Sequence, residues 1–189
     1  ELPDWCVLDL DPKEAPFSEV VNCARLLSDI AEEMQLPAFV KTTGKSGLHV
    51  LIPLGRQCTY EQSRRLGELL ARVVVAELPQ VATIARSLGQ RGGKVYVDYL
   101  QNRHGQTIIA PFSVRPLPGA PVSMPLRWDE VSGELDPKRF TMANAAERMN
   151  ALGSDPMREV LEAVPDLVRA LDNLSKRVAK AMSGGETAR

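Results

Sequence analysis

Two aspartates one residue apart, Asp9 and Asp11, close the apolar run Val7-Leu8-Asp9-Leu10-Asp11-Pro12. Residues i and i+2 of a strand share a face, so these carboxylates project together while Cys6, Leu8 and Leu10 point the other way. Side-by-side negative charges are costly unless a cation lies between them or one is protonated. A divalent cation is the usual remedy, and oxygen-only ligation suits magnesium, manganese or calcium. The simpler alternative is a strand end whose aspartates cap the turn before Pro12. A third carboxylate, Asp98, sits in the alternating stretch Val95 to Leu100, and His49 sits in Leu48 to Leu54. Just before His49, Gly44-Lys45-Ser46-Gly47 offers backbone N–H groups, an ammonium and a hydroxyl to an anion. It is not a P-loop, because Phe39 stands where the upstream glycine belongs, and many such turns only join strands. Arg91 and Arg115 supply planar forks that match phosphate oxygens, although each alone also reads as a surface residue. His49 suits a hydrogen bond to a phosphate or a leaving group, or a purely structural role.

These residues need elements to position them. Val7 to Asp11 reads as strand one. After Pro16, Ser18 is the expected N-cap of a helix whose apolar residues Val20, Cys23, Ala24, Leu27, Ile30, Ala31 and Met34 recur at helical spacing, ending before Pro37. Ala38 to Thr43 and Leu48 to Leu54 form a hairpin about the Gly44–Gly47 turn. Thr59 and Gln62 fit a capping box. Leu66, Leu69, Leu70, Val73, Val74 and Leu78 make the core stripe of the second helix, which stops near Pro79. A loop or short helix carries Arg86 and Arg91, and Val95 to Leu100 is the fourth strand. The order is βαββαβ, an α+β, RRM- or ferredoxin-like core with both helices on one sheet face. Leu8, Leu10, Leu48, Val50, Ile52, Val95 and Val97 are expected to meet the helices. Asp9, Asp11, His49 and Asp98 then share the open face, on neighbouring strands roughly 4.8 Å apart.

Beyond Asn102, Pro111, Pro116, Pro118, Pro121 and Pro125 predict turn-rich chain over 106–128, with one or two extra strands. Residues 141–152 and 155–182 read as helices broken near Pro156 and Pro165, with Val160, Leu161, Val164, Leu167, Val168, Leu171 and Leu174 as their apolar stripe. The expected organisation is a catalytic core over 1–150, a C-terminal helical extension over 151–182 and a disordered tail over 183–189.

At 189 residues with 44% hydrophobic content, the chain has room for a proper core. No stretch is long and apolar enough to span a membrane. Three scattered cysteines and two histidines argue against a zinc site and fit reduced, buried thiols of a cytosolic protein. The start at Glu1, almost inside a strand, suggests a segment of a longer polypeptide. The net charge of −1 conceals an asymmetry: residues 1–36 hold two basic and nine acidic groups, and residues 37–116 hold eleven and four. A basic middle beside a carboxylate pair suits a polyanionic substrate approached through metal ions; a solvated lysine and arginine face is the plainer alternative.

VLDLDP, KTTGKSGLHVLIPL and KVYVDYLQN, in that order and spacing, resemble the three motifs of the archaeo-eukaryotic primase superfamily. Within it, the likeness is greatest to the polymerase domain of bacterial DNA ligase D, over about residues 3–150. The resemblance implies a DNA-repair nucleotidyltransferase, acting as polymerase or primase at DNA ends during non-homologous end joining. It implies that Asp9, Asp11 and Asp98 bind two catalytic Mn2+ or Mg2+ ions, often manganese. It assigns Lys45, Ser46 and His49 to the triphosphate, and Arg91, Gln101 and Arg115 to nucleotide or template. Implied partners are DNA ends with a recessed 5′-phosphate, NTPs and dNTPs, the end-binding protein Ku and a ligase domain of the same polypeptide, in the bacterial nucleoid. One departure is large: the family's domain carries a long region before the first motif, with base-stacking aromatics and the 5′-phosphate pocket, so this segment alone is expected to be inactive and to bind DNA weakly.

Two other function classes compete. A haloacid dehalogenase-type phosphatase also ends a strand in Asp-x-Asp, but Lys13 stands where its threonine belongs, and no doubly wound pattern follows. A non-catalytic nucleic-acid-binding module would use the open sheet as an RNA-recognition platform, against which stand 5% aromatic content and carboxylates on that face.

Overall fold

Strand β1 (Trp5–Asp11) lies inside a six-stranded sheet of order β4-β5-β1-β3-β2-β6 in the computed structural model, which describes residues 1–184. The elements follow as α1 (Phe17–Glu33), β2 (Phe39–Thr42), β3 (Leu48–Pro53), α2 (Tyr60–Glu77), β4 (Ala82–Thr83) and β5 (Val95–Asp98), then β6 (Pro125–Leu126), α3 (Ala145–Leu152) and α4 (Leu167–Gly184). The four central strands keep the expected order β5-β1-β3-β2, all antiparallel, and β4 and β6 extend the two edges. A doubly wound parallel sheet, which the phosphatase alternative requires, is not what surrounds β1.

Alternation along the strands builds the core. Leu8, Leu10, Leu48, Val50, Ile52, Val95 and Val97 are buried with the apolar stripes of α1 and α2. The Thr59–Gln62 capping box starts α2, with Gln62 N–H donating to Thr59 Oγ1 at 3.2 Å and Thr59 N–H to Gln62 Oε1 at 2.8 Å. Ala170 and Leu174 of α4 join this core, and Arg177 bridges Glu33 of α1 and Glu77 of α2. All three cysteines are free, with Cys6 and Cys23 buried.

The structure differs from the sequence reading at several points. Helix α1 begins at Phe17, with Pro16 rather than Ser18 at the cap position and no side-chain cap. Leu69 on the α2 stripe is 44% exposed. The fourth strand stops at Asp98, and Leu100–Asn102 turn as a 3-10 helix. There the Asn102 side chain replaces strand pairing: its Oδ1 accepts from Val7 N–H at 2.7 Å and its Nδ2 donates to Val7 O at 2.8 Å. The break expected near Pro165 is present, but the piece before it is only a 3-10 turn at Arg158–Leu161, and α4 starts at Leu167. Pro165 disfavours helical backbone at the residue before it, so Leu161, Val164 and Val168 are exposed rather than part of one stripe. Ser183 and Gly184 end α4; the rest of the expected tail, 185–189, lies outside the described residues.

The face opposite the helices is only partly open. Val7, Leu51, Met157 and Val160 form a second small core there, with Trp5, Phe39 and Ile108 against it. The remaining part of that face is polar and forms the cleft described next.

Candidate active site

Sheet register aligns the site in one row. Asp9 stands opposite Asp98 on β5 and His49 on β3; His49 stands opposite Lys41 on β2. Asp11, two residues along β1, stands opposite Tyr96. Directly opposed residues share a sheet face, so Asp98, Asp9, His49 and Lys41 cross the sheet side by side. Like charges directly opposite destabilise an antiparallel pair, which makes the Asp9–Asp98 pairing a cost that folding alone gives no reason to bear.

Asp9, Asp11, Lys45, Ser46, His49, Gln101 and Arg115 line one cleft of about 290 Å³, together with Thr43, Gly47 and residues 107–109. The β2–β3 turn contributes Thr43, Lys45, Ser46 and Gly47 to its lining. Thr43 Oγ1 accepts from the N–H groups of Lys45 and Gly47 at 3.3 and 3.2 Å, which curls the turn. Gly44 at φ +70° has no room for a Cβ, which would lie 2.7 Å from Arg115 Cγ, so the arginine stem rests on it. Arg115 Nε is buried without a partner.

Asp98 and Arg91 line the neighbouring cleft, with Arg86, Tyr96 and Gln101; Gln101 borders both. Asp98 Oδ1 accepts from Leu100 N–H at 2.8 Å and its Oδ2 from Gln101 Nε2 at 3.1 Å. Arg91 donates to Asp11 Oδ2 at 3.0 Å and stacks 4.0 Å over the Tyr96 ring. The structure thus places the three aspartates on one face of adjacent strands, but each is turned to its own partner. Among the described residues no three His, Cys, Asp or Glu side chains converge as they stand. As a donor set, three carboxylates suit a hard divalent cation, and rotation of Asp11 off Arg91 and of Asp98 off Leu100 would free the oxygens.

The sequence reading missed Lys41 and Ser123. Lys41 is fully buried. Its Nζ donates to Ser123 Oγ at 2.7 Å and lies 2.9 Å from His49 Nδ1. Burial pulls the Lys41 amine down to about 7 against the opposing pull of Asp9, and Arg115 lowers it further. Burial likewise lowers His49, although Asp9 favours its charged form. His49 Nε2 lies 3.4 Å from Asp9 Oδ1. Lys41 was findable: the hairpin register that puts Leu48 opposite Thr42 also puts Lys41 opposite His49.

A family model described as the LigD primase-polymerase domain matches residues 1–157. The chain is 32% identical over 158 residues to the multifunctional non-homologous end joining protein LigD of Pseudomonas aeruginosa, covering 82% of this chain and 19% of that protein. It is 33% identical over 153 residues to the bifunctional non-homologous end joining protein LigD of Bacillus subtilis, covering 80% and 25%. The solved polymerase domain from Mycobacterium tuberculosis ligase D in complex with DNA superposes with a TM-score of 0.80 at 27% identity, covering 87% of this chain and 57% of that one. The chain therefore spans a quarter or less of the curated relatives' length. With the motif strands, the sheet order and the family match over residues 1–157 in agreement, the chain belongs to the LigD primase-polymerase domain family.

Proposed function

We propose that this domain supplies nucleotidyltransferase activity to a DNA-repair protein, adding ribo- or deoxyribonucleotides to DNA ends during non-homologous end joining. The observation that carries the reading is the unfavourable register pair Asp9–Asp98, with Asp11 on the same face. With Asp11 turned off Arg91 and Asp98 off Leu100, the three carboxylates of this face would form a site for Mn2+ or Mg2+. A pair of such ions, when bound, stabilises the attacking and leaving oxygens of phosphoryl transfer.

The chain's own residues do the rest. Asp9, Asp11 and Asp98 would hold the ions. Lys45 and Ser46 face an incoming triphosphate from the turn, and Arg115 brings a guanidinium whose Nε has no partner. His49 donates to the same anion. Arg91 leaves Asp11 for the nucleotide or template side, and Gln101 orients Asp98. The DNA end with its 5′-phosphate, Ku and a ligase domain in the same polypeptide are the partners this reading implies, in the bacterial nucleoid; no helix among the described residues is long and apolar enough to cross a membrane. Primer extension on a gapped duplex with Mn2+ tests it in the full-length protein. Asp98→Ala should abolish nucleotide addition, and undiminished extension by that variant overturns the reading.

A further inference from the structure

A buried chain of polar groups behind the cleft runs from Thr42 through Ser123 and Lys41 to His49. Ser123 Oγ donates its only proton to Thr42 O at 2.8 Å. It therefore accepts from Lys41 Nζ, 2.7 Å away. The next group along, His49 Nδ1, is 2.9 Å from the same nitrogen. If the amine donates there as well, Nδ1 is the acceptor and the ring proton sits on Nε2, toward Asp9 Oδ1 and the cleft. An amine in its neutral form has two N–H groups, and these two contacts use both. The lowered Lys41 amine agrees with that count.

We propose that Lys41 is a positioning residue that, anchored on Ser123, holds His49 as the Nε2–H tautomer and so presents a hydrogen-bond donor to the phosphate groups of a bound nucleotide. This rests on the nucleotidyltransferase reading for its ligand, but the tautomer itself does not. Without Lys41 the imidazole loses its partner at Nδ1, and only the longer contact of Nε2 with Asp9 Oδ1, at 3.4 Å, still favours Nε2–H. Nδ1–H then competes, and the cleft face of the ring presents a lone pair to an anion.

The test is 15N histidine NMR on the 189-residue chain at pH 8. Only His49 and His104 contribute signals, so His104→Gln assigns them. The wild-type chain should show His49 as a single neutral Nε2–H tautomer, and Lys41→Met should turn it into a mixture. A wild-type Nδ1–H ring, or an unchanged pure Nε2–H ring in Lys41→Met, overturns the proposal. Should Lys41→Met not fold, Ser123→Ala releases the anchor instead; mixing is expected there, and an unchanged ring overturns the proposal equally. In the full-length protein, Lys41→Met should raise KM for nucleoside triphosphate about tenfold, the scale of one lost hydrogen bond to a charged group, with a smaller change in kcat. Extension that survives Asp98→Ala would refute the nucleotidyltransferase reading and leave the tautomer result standing. An unchanged ring would refute this inference and leave that reading standing.

Discussion

Asn102 is the residue whose loss should reach furthest for its size. It is 5% exposed and completes both backbone bonds of Val7 on β1, the N–H at 2.7 Å and the C=O at 2.8 Å. It also donates to Tyr99 O at 2.9 Å. Asn102→Ala leaves the Val7 N–H and C=O buried without partners, because Val7 is itself only 2% exposed. At about 1–3 kcal/mol for each of the two unsatisfied groups, the cost is roughly 2–6 kcal/mol, a large part of the stability of an ordinary domain. Asn102→Asp separates hydrogen bonding from shape. It keeps the acceptor for Val7 N–H but aims carboxylate oxygen at the carbonyls of Val7 and Tyr99. Its folded-state pKa is therefore raised, and its stability should fall as pH rises through the carboxylate range, a dependence absent from Asn102→Ala. Urea unfolding followed by circular dichroism measures both variants. A loss below about 1 kcal/mol in Asn102→Ala would refute the idea that this side chain stands in for a strand.

Other outcomes follow from the same structure. Lys41 has a folded pKa of about 7 against 10.5 unfolded, so between these values the unfolded chain binds the extra proton and stability rises with pH, by up to about 1.4 kcal/mol per pH unit. Above pH 9 the trend should reverse, because burial raises Cys6 and Cys23 to about 12 and only the unfolded thiols ionise there; urea midpoints from pH 7 to 10 should show the dome, and a Lys41→Met chain with the same rise would refute the assignment. Gly47→Ala places a Cβ 2.2 Å from Leu10 O, between the two β1 aspartates, and should cost roughly 3 kcal/mol or more in thermal unfolding. Gly89→Ala, which meets nothing within 4 Å, is its near-neutral control. Cys58, the one partly exposed thiol, should react first with a thiol reagent in the folded chain, and equal reactivity of Cys6 would contradict the core.

Strand alternation made most of the site readable from the sequence. Alternation with the apolar residues of each strand puts Asp9, Asp11, His49 and Asp98 on one face, and they lie there. It carries no information on rotamers, so the separate partners of Asp11 and Asp98 were invisible. Lys41 escaped notice because a lysine in a strand is ordinarily at the surface, although the hairpin register marked its side. Ser123 comes from a proline-rich stretch without periodicity, and nothing local places it near residue 41. Of the apolar stripe read over 155–182, Val160, Leu167 and Leu174 pack inward while Leu161, Val164, Val168 and Leu171 are exposed, because helical spacing does not carry through a residue that interrupts the helix. The small core under β3 was missed since Met157 and Val160 reach Leu51 from over a hundred positions away.

Strand β1 interleaves the innermost core residues with the carboxylates, one after the other. If its pairing slipped by a single residue, Asp9 and Asp11 would enter the helix layer and Leu8 and Leu10 would face water. Uncompensated buried charge on that scale is incompatible with a folded domain. A miswired cleft is thus not available as a stable folded state: any chain that folds carries both carboxylates on the cleft face.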